Sequence, residues 1–324
     1  MQSDDGARDR VTGSPPTVSV VIPCHDLGAY VNEAVQSVLD QTYQDFEILL
    51  IDDGSTDPVT RNLFTSYVRP KTRILRTENQ GLARTRNLGI REAQGRYVSC
   101  LDADDLFEPT FLERTVALLD ADPAAAFASC WLTAFGDSSF LWNPATCDFP
   151  HLLAEDTVCS AALMRTGAIL AAGGYDPAMP TAGYEDWDLA IGMVERGLRG
   201  WIVPEHLFRY RVRAGSMTGD CTAPANHAAL MEYLVDKHAA AYREHLRGVL
   251  EVIEKRTSEM EAYRREPPAG ADGEQTLRIA FLEKTLKGVL ESTNWKASRP
   301  LRRAASRFRA TARSKEPGIS VVVT

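Results

Sequence analysis

Much of what this chain does not contain narrows its class. None of the six cysteines, Cys24, Cys100, Cys130, Cys147, Cys159 and Cys221, sits in a CxxC pair. That argues against a zinc ribbon or a dithiol redox motif, and it predicts free, mostly buried thiols in a reducing cytoplasm. No run of about 18 apolar residues occurs, so no transmembrane helix is expected. The opening segment 1–14 is polar and lacks an apolar core, so no secretory signal is expected either. The net charge of −8 argues against general nucleic-acid binding. No GxGxxG follows the first apolar run, which disfavours a dinucleotide-dependent dehydrogenase. The glycine-rich loop with a basic residue that a sugar nucleotidyltransferase carries at that place is missing too, so this reading stands only as an alternative.

What is present is an ordinary globular composition: 324 residues, 44% hydrophobic and 25% charged, enough for one large domain or two smaller ones. Apolar runs at Val18–Ile22, Phe46–Ile51, Arg73–Leu75, Tyr97–Leu101 and Ala126–Trp131 read as strands. Between them, Val31, Ala34, Val35, Val38 and Leu39 have helical spacing, as do Leu82, Gly89, Ile90 and Ala93, and Phe111, Leu112, Val116 and Leu119. Strands alternating with helices predict an α/β fold built on a mostly parallel sheet flanked by helices. In such sheets ligands bind beyond the carboxyl ends of the strands.

Two carboxylate clusters fall at those ends. Asp102-Ala103-Asp104-Asp105 follows a strand at once, and carboxylates on a tight turn can gather a hard divalent cation that neutralises a diphosphate. The same residues could equally be a solvated turn with a helix cap. Asp52-Asp53-Gly54-Ser55-Thr56-Asp57 ends another strand. It reads either as a plain turn or as carboxylates that accept from a base N–H or a ribose hydroxyl. Gly183-Tyr184-Glu185-Asp186-Trp187-Asp188 opens a helix, where acidic residues suit the dipole, or where one of them acts as a general base. Arg84 and Arg86, near another helix start, could bind phosphate or decorate a surface.

The set of motifs, in this order, resembles the family 2 glycosyltransferases. It comprises Val18–Asp26, Ser37–Tyr43, Asp52–Asp57, Asn79–Ala83, Arg86–Ile90, Gly95–Val98, Leu101–Asp105, Gly173–Asp176 and Gly183–Asp186, and it spans about residues 16 to 220. The resemblance implies a GT-A, Rossmann-like fold and an inverting transferase. It puts Pro23, His25 and Asp26 in a nucleotide pocket, with His25 where the family usually has an aromatic. Asp53, with Asp52 beside it, would read the base, and Arg86 would lie near the nucleotide. Asp102 would approach the ribose, and Asp104, with Asp102 and Asp105, would hold Mn²⁺ or Mg²⁺. Asp186 would be the catalytic base, with Glu185 beside it and Trp187 lining the acceptor site. Arg211 and Arg213 stand near a place where the family often has a histidine, and are candidates for the diphosphate. The implied substrates are a nucleotide-sugar donor, UDP first and dTDP next, and a glycan or lipid-linked acceptor. A catalytically silent scaffold or oligomerisation module is the rival reading.

The expected organisation is a polar, disordered N-terminus over 1–15, a catalytic domain over 16–225 and a helical extension over 226–315. Leu246, Val249, Leu250 and Ile253 have helical spacing in that extension, as do Ile279, Leu282, Leu286 and Val289. The stretch 295–315 holds eight basic residues and no acidic one. Two readings stay open for it: peripheral contact with an anionic membrane face, or a solvated linker. The last residues, Pro317–Thr324, resemble Pro16–Pro23, so 316–324 reads as the start of a second copy of the first domain. A second such domain, or a second copy of the chain, is therefore an expected partner. The expected location is the cytoplasm or the inner face of its membrane.

Overall fold

The computed structural model describes residues 14–265. The second helical stripe beyond Ile279, the basic stretch 295–315 and the terminal repeat 316–324 lie outside the described residues, as does most of 1–15. The chain runs β1 (Val18–Cys24), α1 (Gly28–Leu39), β2 (Phe46–Asp53), α2 (Pro58–Thr65), β3 (Thr72–Thr77), α3 (Leu82–Glu92), β4 (Tyr97–Cys100) and β5 (Leu106–Phe107). It continues through α4 (Phe111–Ala121), β6 (Ala125–Gly136), β7 (Phe140–Trp142), α5 (His151–Ala154), β8 (Leu163–Arg165) and α6 (Thr166–Ala172). The last elements are α7 (Glu185–Glu195), β9 (Arg199–Val212), α8 (Met217–Cys221), α9 (Pro224–Lys237) and α10 (Ala239–Arg265).

One sheet runs in the order β3-β2-β1-β4-β8-β6-β9-β5, with β7 against β6. It is parallel from β3 through β4, where helices connect the strands, and again between β6 and β9. At β8, β7 and β5 it is antiparallel, so the sheet as a whole is mixed. All seven residues of β1 are buried because helices cover both faces, as parallel sheets require. Each fully buried Val, Ile or Leu there contributes roughly 1.5–3 kcal/mol of transfer free energy. α3 lies close on β1: a Cβ on Gly89 would come within 2.3 Å of Val21 Cγ1.

The chain leaves β1 for β2 and β3 on one side, then returns to β4 on the other. That reversal opens a crevice between the carboxyl ends of β1 and β4, and the acidic motifs sit there. β9 carries no clear strand signal in the sequence. It carries polar and charged residues at alternate positions, and pairing with β6 and β5 overrides its weak apolar signal.

The helices from Pro224 onward pack on the catalytic half. Lys237 bridges Asp176 and Asp188, and His238 sits between Asp188 and Glu195, at 3.0 and 2.8 Å. The carboxylates of Asp188 and Glu195 hold His238 above the ordinary histidine range despite its burial. α10 lies over α5, and Arg256 pairs with Glu155 at 2.6 Å. The six cysteines are free and buried, and burial pushes the Cys24 thiol up to about 12.

Candidate active site

The tip of β2 is held by its own turn. Asp52 accepts from Ser55 N at 3.0 Å, and Gly54 takes φ +65°, where a Cβ would meet Asn79 N at 2.4 Å. Only glycine allows that left-handed turn so close to the neighbouring loop. Asp53 then points across to that loop, accepting from Gln80 N at 3.0 Å and Gly81 N at 3.1 Å. His25 Nδ1 lies 2.9 Å from Asp53 O, and Asn79 Nδ2 lies 3.1 Å from Nε2. This pattern suits the neutral ring with its proton on Nδ1. Asp26 is used otherwise. It accepts from Thr56 N, Thr56 Oγ1 and Asp57 N at 2.7, 3.0 and 2.8 Å, and the bond from Asp57 N foremost holds its carboxyl below the usual range. Asp26 and Asp52 thus shape the turn, whereas Pro23, His25, Asp53 and Asn79 line a cavity of about 620 Å³.

The tip of β4 supplies the next group. Arg86, from α3, is 1% exposed and donates to Asp102 Oδ1 at 2.7 Å and to Glu185 Oε1 at 2.9 Å. It fixes two carboxylates in place and lines the cavity beside them. Glu185 also accepts from Gly183 N at 2.6 Å, so it is an anchor for the start of α7. Asp104 lines the cavity with its Oδ2 at 2.6 Å from Arg213 Nε. Burial, then Asp102, raises the Asp104 carboxyl, and Arg213 opposes that rise. Asp105 is 1% exposed and turns toward β9, accepting from Arg211 N at 2.7 Å. Burial and the neighbouring Asp102 and Asp104 push its carboxyl well above the carboxylate range.

The two arginines after β9's centre differ. Arg211 is spent on structure: it donates to Asp104 O and Glu33 at 2.7 and 2.8 Å and stacks between the Tyr30 and Phe135 rings. Arg213 is tied by Nε to Asp104, with its side chain 26% exposed.

Asp186 reaches the cavity from the first turn of α7. One oxygen accepts from Trp187 N at 2.9 Å, and among the described residues the other has no partner. Its half-buried carboxyl is pushed up to about 7 by burial and then by Glu185, while Arg86 pulls the other way. The Trp187 ring is 2% exposed, and its Nε1 donates to Leu152 O at 2.6 Å. It forms part of the cavity wall beside Asp186.

Further residues line the cavity that the sequence did not single out. Asp156 comes from the loop before β8, Trp142 from β7, and Val252, Ile253 and Arg256 from α10. Asp156 follows no motif, and the helical spacing of Ile253 marks a buried face equally well. Among the described residues, no group of three His, Cys, Asp or Glu side chains converges as a metal cage, and no helix is long and apolar enough to cross a membrane.

Residues 19–167 match the family described as "Glycosyl transferase family 2". The chain is 38% identical over 221 residues to the putative teichuronic acid biosynthesis glycosyltransferase TuaG of Bacillus subtilis, covering 65% of this chain and 84% of TuaG. It is 28% identical over 205 residues to the putative glycosyltransferase EpsE of the same organism, covering 61% of this chain and 74% of EpsE. A stretch of 90 residues is 46% identical to an uncharacterized glycosyltransferase of Rickettsia felis; it is 28% of this chain and only 15% of that relative's length. The fold resembles that of S. aureus TarS 1–349, crystallised in complex with UDP-GlcNAc, with a TM-score of 0.57 and 17% identity over 68% of this chain and 65% of that one. The acidic crevice at the sheet's switch point and these likenesses agree: the chain belongs to the family 2 glycosyltransferases.

Proposed function

We propose that this protein moves a sugar from a nucleoside-diphosphate sugar, UDP first and dTDP second, to a hydroxyl of a glycan or lipid-linked acceptor, inverting the anomeric carbon. One observation carries the reading. Asp186 shares a cavity with Asp53, Asp102 and Asp104, has an oxygen without a partner among the described residues, and titrates near neutrality, at about 7. A general base is most effective with a pKa near the working pH. The TarS likeness adds support for the donor class, since that protein was crystallised with UDP-GlcNAc and with UDP.

In this reading the base lies against His25 and Asn79, and Asp53 accepts from its N–H. Both Asp53 oxygens already accept from backbone amides and each retains a lone pair for a further donor. Asp102 and Asp104 would hold Mn²⁺ or Mg²⁺; two carboxylates on one cavity wall suit a hard cation whose other ligands are phosphate and water. When bound, that ion neutralises charge on the departing diphosphate. Arg213, within reach of Asp104, adds positive charge on the same side. Asp186 takes the proton as the acceptor oxygen bonds to the anomeric carbon and the bond to the diphosphate breaks. A single displacement inverts the centre and requires no carboxylate nucleophile.

Arg86 takes the role of a positioning residue, holding Asp102 on the donor side and Glu185 beside the base. The location proposed is the cytoplasmic side of glycan assembly. Calorimetry with UDP, dTDP, GDP and CMP, each with and without Mn²⁺, tests the reading. It predicts tight, metal-enhanced binding of one nucleotide. Binding of none would transfer the weight to the scaffold reading.

A further inference from the structure

The six cysteines are chemically unequal. Burial is the main cause that pushes the Cys24, Cys100 and Cys147 thiols up to about 12, 11 and 12. Thiols held that high carry almost no thiolate at neutral pH and are poor nucleophiles. Cys159 is placed differently. It lies in the loop between α5 and β8, on the wall of the cavity, and is 3% exposed.

Two donors converge on its sulfur. Ser129 Oγ donates to Cys159 Sγ at 3.4 Å and accepts from Cys159 N at 3.0 Å. The thiol of Cys130, the next residue of β6, donates to the same sulfur. The pairing of β6 with β8 brings these residues together. The bond from Cys130 foremost, and that from Ser129, hold the Cys159 thiol below the ordinary thiol range, although burial opposes them. Cys130 moves the other way: burial, then the bond it donates, push its thiol well above that range. A disulfide needs its two sulfurs close, and these two already share a hydrogen bond.

We propose that Cys159 and Cys130 form a peroxide-reactive pair on the cavity wall, with Cys159 the attacking sulfur and Cys130 the resolving one. This site is separate from sugar transfer and does not rest on that reading. The Cys159 sulfur attacks one oxygen of hydrogen peroxide, the O–O bond breaks, and the departing hydroxide takes a proton to leave as water. Cys159 is then a sulfenic acid. The Cys130 sulfur attacks it, the S–S bond forms as the S–O bond breaks, and the thiol proton leaves with the hydroxyl as a second water. The two sulfurs lose two electrons and the peroxide gains them. A reducing dithiol reverses the link by exchange. While it lasts, the link fastens the loop that carries Asp156 and Ser160 to β6.

The test exposes the reduced, native full chain to hydrogen peroxide, alkylates the remaining thiols with iodoacetamide and reads the peptides by mass spectrometry. A Cys130–Cys159 link should form at least about tenfold faster than any modification of Cys24, Cys100 or Cys147, because the larger thiolate fraction outweighs the lower nucleophilicity of a low-pKa sulfur. Dithiothreitol should reverse it. Cys130→Ser keeps a hydroxyl donor for the sulfur and removes the resolving thiol, so Cys159 should stop at the sulfenic acid and be tagged by dimedone. Cys221→Ser, at another cysteine of the cavity wall, should leave the link intact. Thiols left untouched, first oxidation at Cys221 or elsewhere, or a Cys130–Cys159 link formed only in denaturant would overturn the proposal. The wild-type peptides decide this without any variant, so a serine substitution that fails to fold does not change the answer. Nucleotide binding is no part of the readout, so failure here and failure of the transfer reading are told apart.

Discussion

Arg86 Nη1 donates to Glu185 Oε1 at 2.9 Å, joining residues 99 positions apart in sequence. Nη2 of the same guanidinium holds Asp102 at 2.7 Å. The donor side of the cavity and the helix that bears the proposed base are therefore registered by one buried cation.

Arg86→Met should cost about 3–5 kcal/mol of stability, because it leaves Glu185 and Asp102 without their counter-charge. Denaturant unfolding measures it. Arg86→Lys should recover part of the loss, as a point charge cannot serve both carboxylates with a planar fork. A loss below about 1 kcal/mol for Arg86→Met, the range of an exposed pair, would contradict the bridging role.

The pH dependence follows from Asp186. Its native carboxyl titrates at about 7, above the ordinary value of 3.8, so the base form accumulates as pH rises through about 7. kcat/KM should show an acidic limb with that inflection. Stability runs the opposite way: the native state binds the proton more tightly than the unfolded chain, so Asp186's contribution is fully present below 3.8 and is lost as pH rises through about 7. Asp186→Asn should thus gain stability relative to wild type between acid and alkaline pH, on the order of 1–3 kcal/mol. Thermal melts across that range report it, and a gain at acid pH only would contradict the sign.

Asp52 and Asp53 are neighbours with different partners, and their variants should separate. Asp52→Ala removes one turn bond, from Ser55 N, at a cost of about 1 kcal/mol, with UDP affinity little changed. Asp53→Ala removes the acceptor for Gln80 and Gly81 and the proposed contact to the base, so UDP affinity should fall about tenfold or more. Calorimetry decides; equal losses would dissolve the distinction.

Arg213 and Mn²⁺ should compete for Asp104, given the 2.6 Å pair between Arg213 Nε and Asp104 Oδ2. In the UDP complex, Arg213→Ala should tighten Mn²⁺ binding and Asp104→Asn should weaken it, both read by electron paramagnetic resonance of free Mn²⁺. Removing the metal with chelator should weaken UDP binding by wild type and leave Asp104→Asn less affected. Mn²⁺ affinity unchanged in both variants would place the metal elsewhere.

The catalytic half was largely legible because its signals are local. Strands such as Val18–Cys24 read as continuous apolar runs, and each is followed at once by the turn that bears its carboxylates. Position was legible and partnership was not. Asp26 and Asp53 lie within equivalent motifs, yet one braces a turn and the other faces the cavity, a difference set by hydrogen bonds to residues 27–31 positions away. Arg86 reads as a phosphate ligand because sequence does not show that Glu185 arrives beside it. Asp156, Trp142 and Arg256 carry no spacing signal at all; only the pairing of β6, β7 and β8 and the docking of α10 bring them to one wall.

Asp186→Asn tests the central claim most directly, with donor binding and transfer measured on the same protein. The account predicts nucleotide affinity within about twofold of wild type, since no donor contact is assigned to Asp186, and transfer reduced at least a hundredfold with loss of the acidic limb near pH 7. Full transfer activity in Asp186→Asn would contradict it.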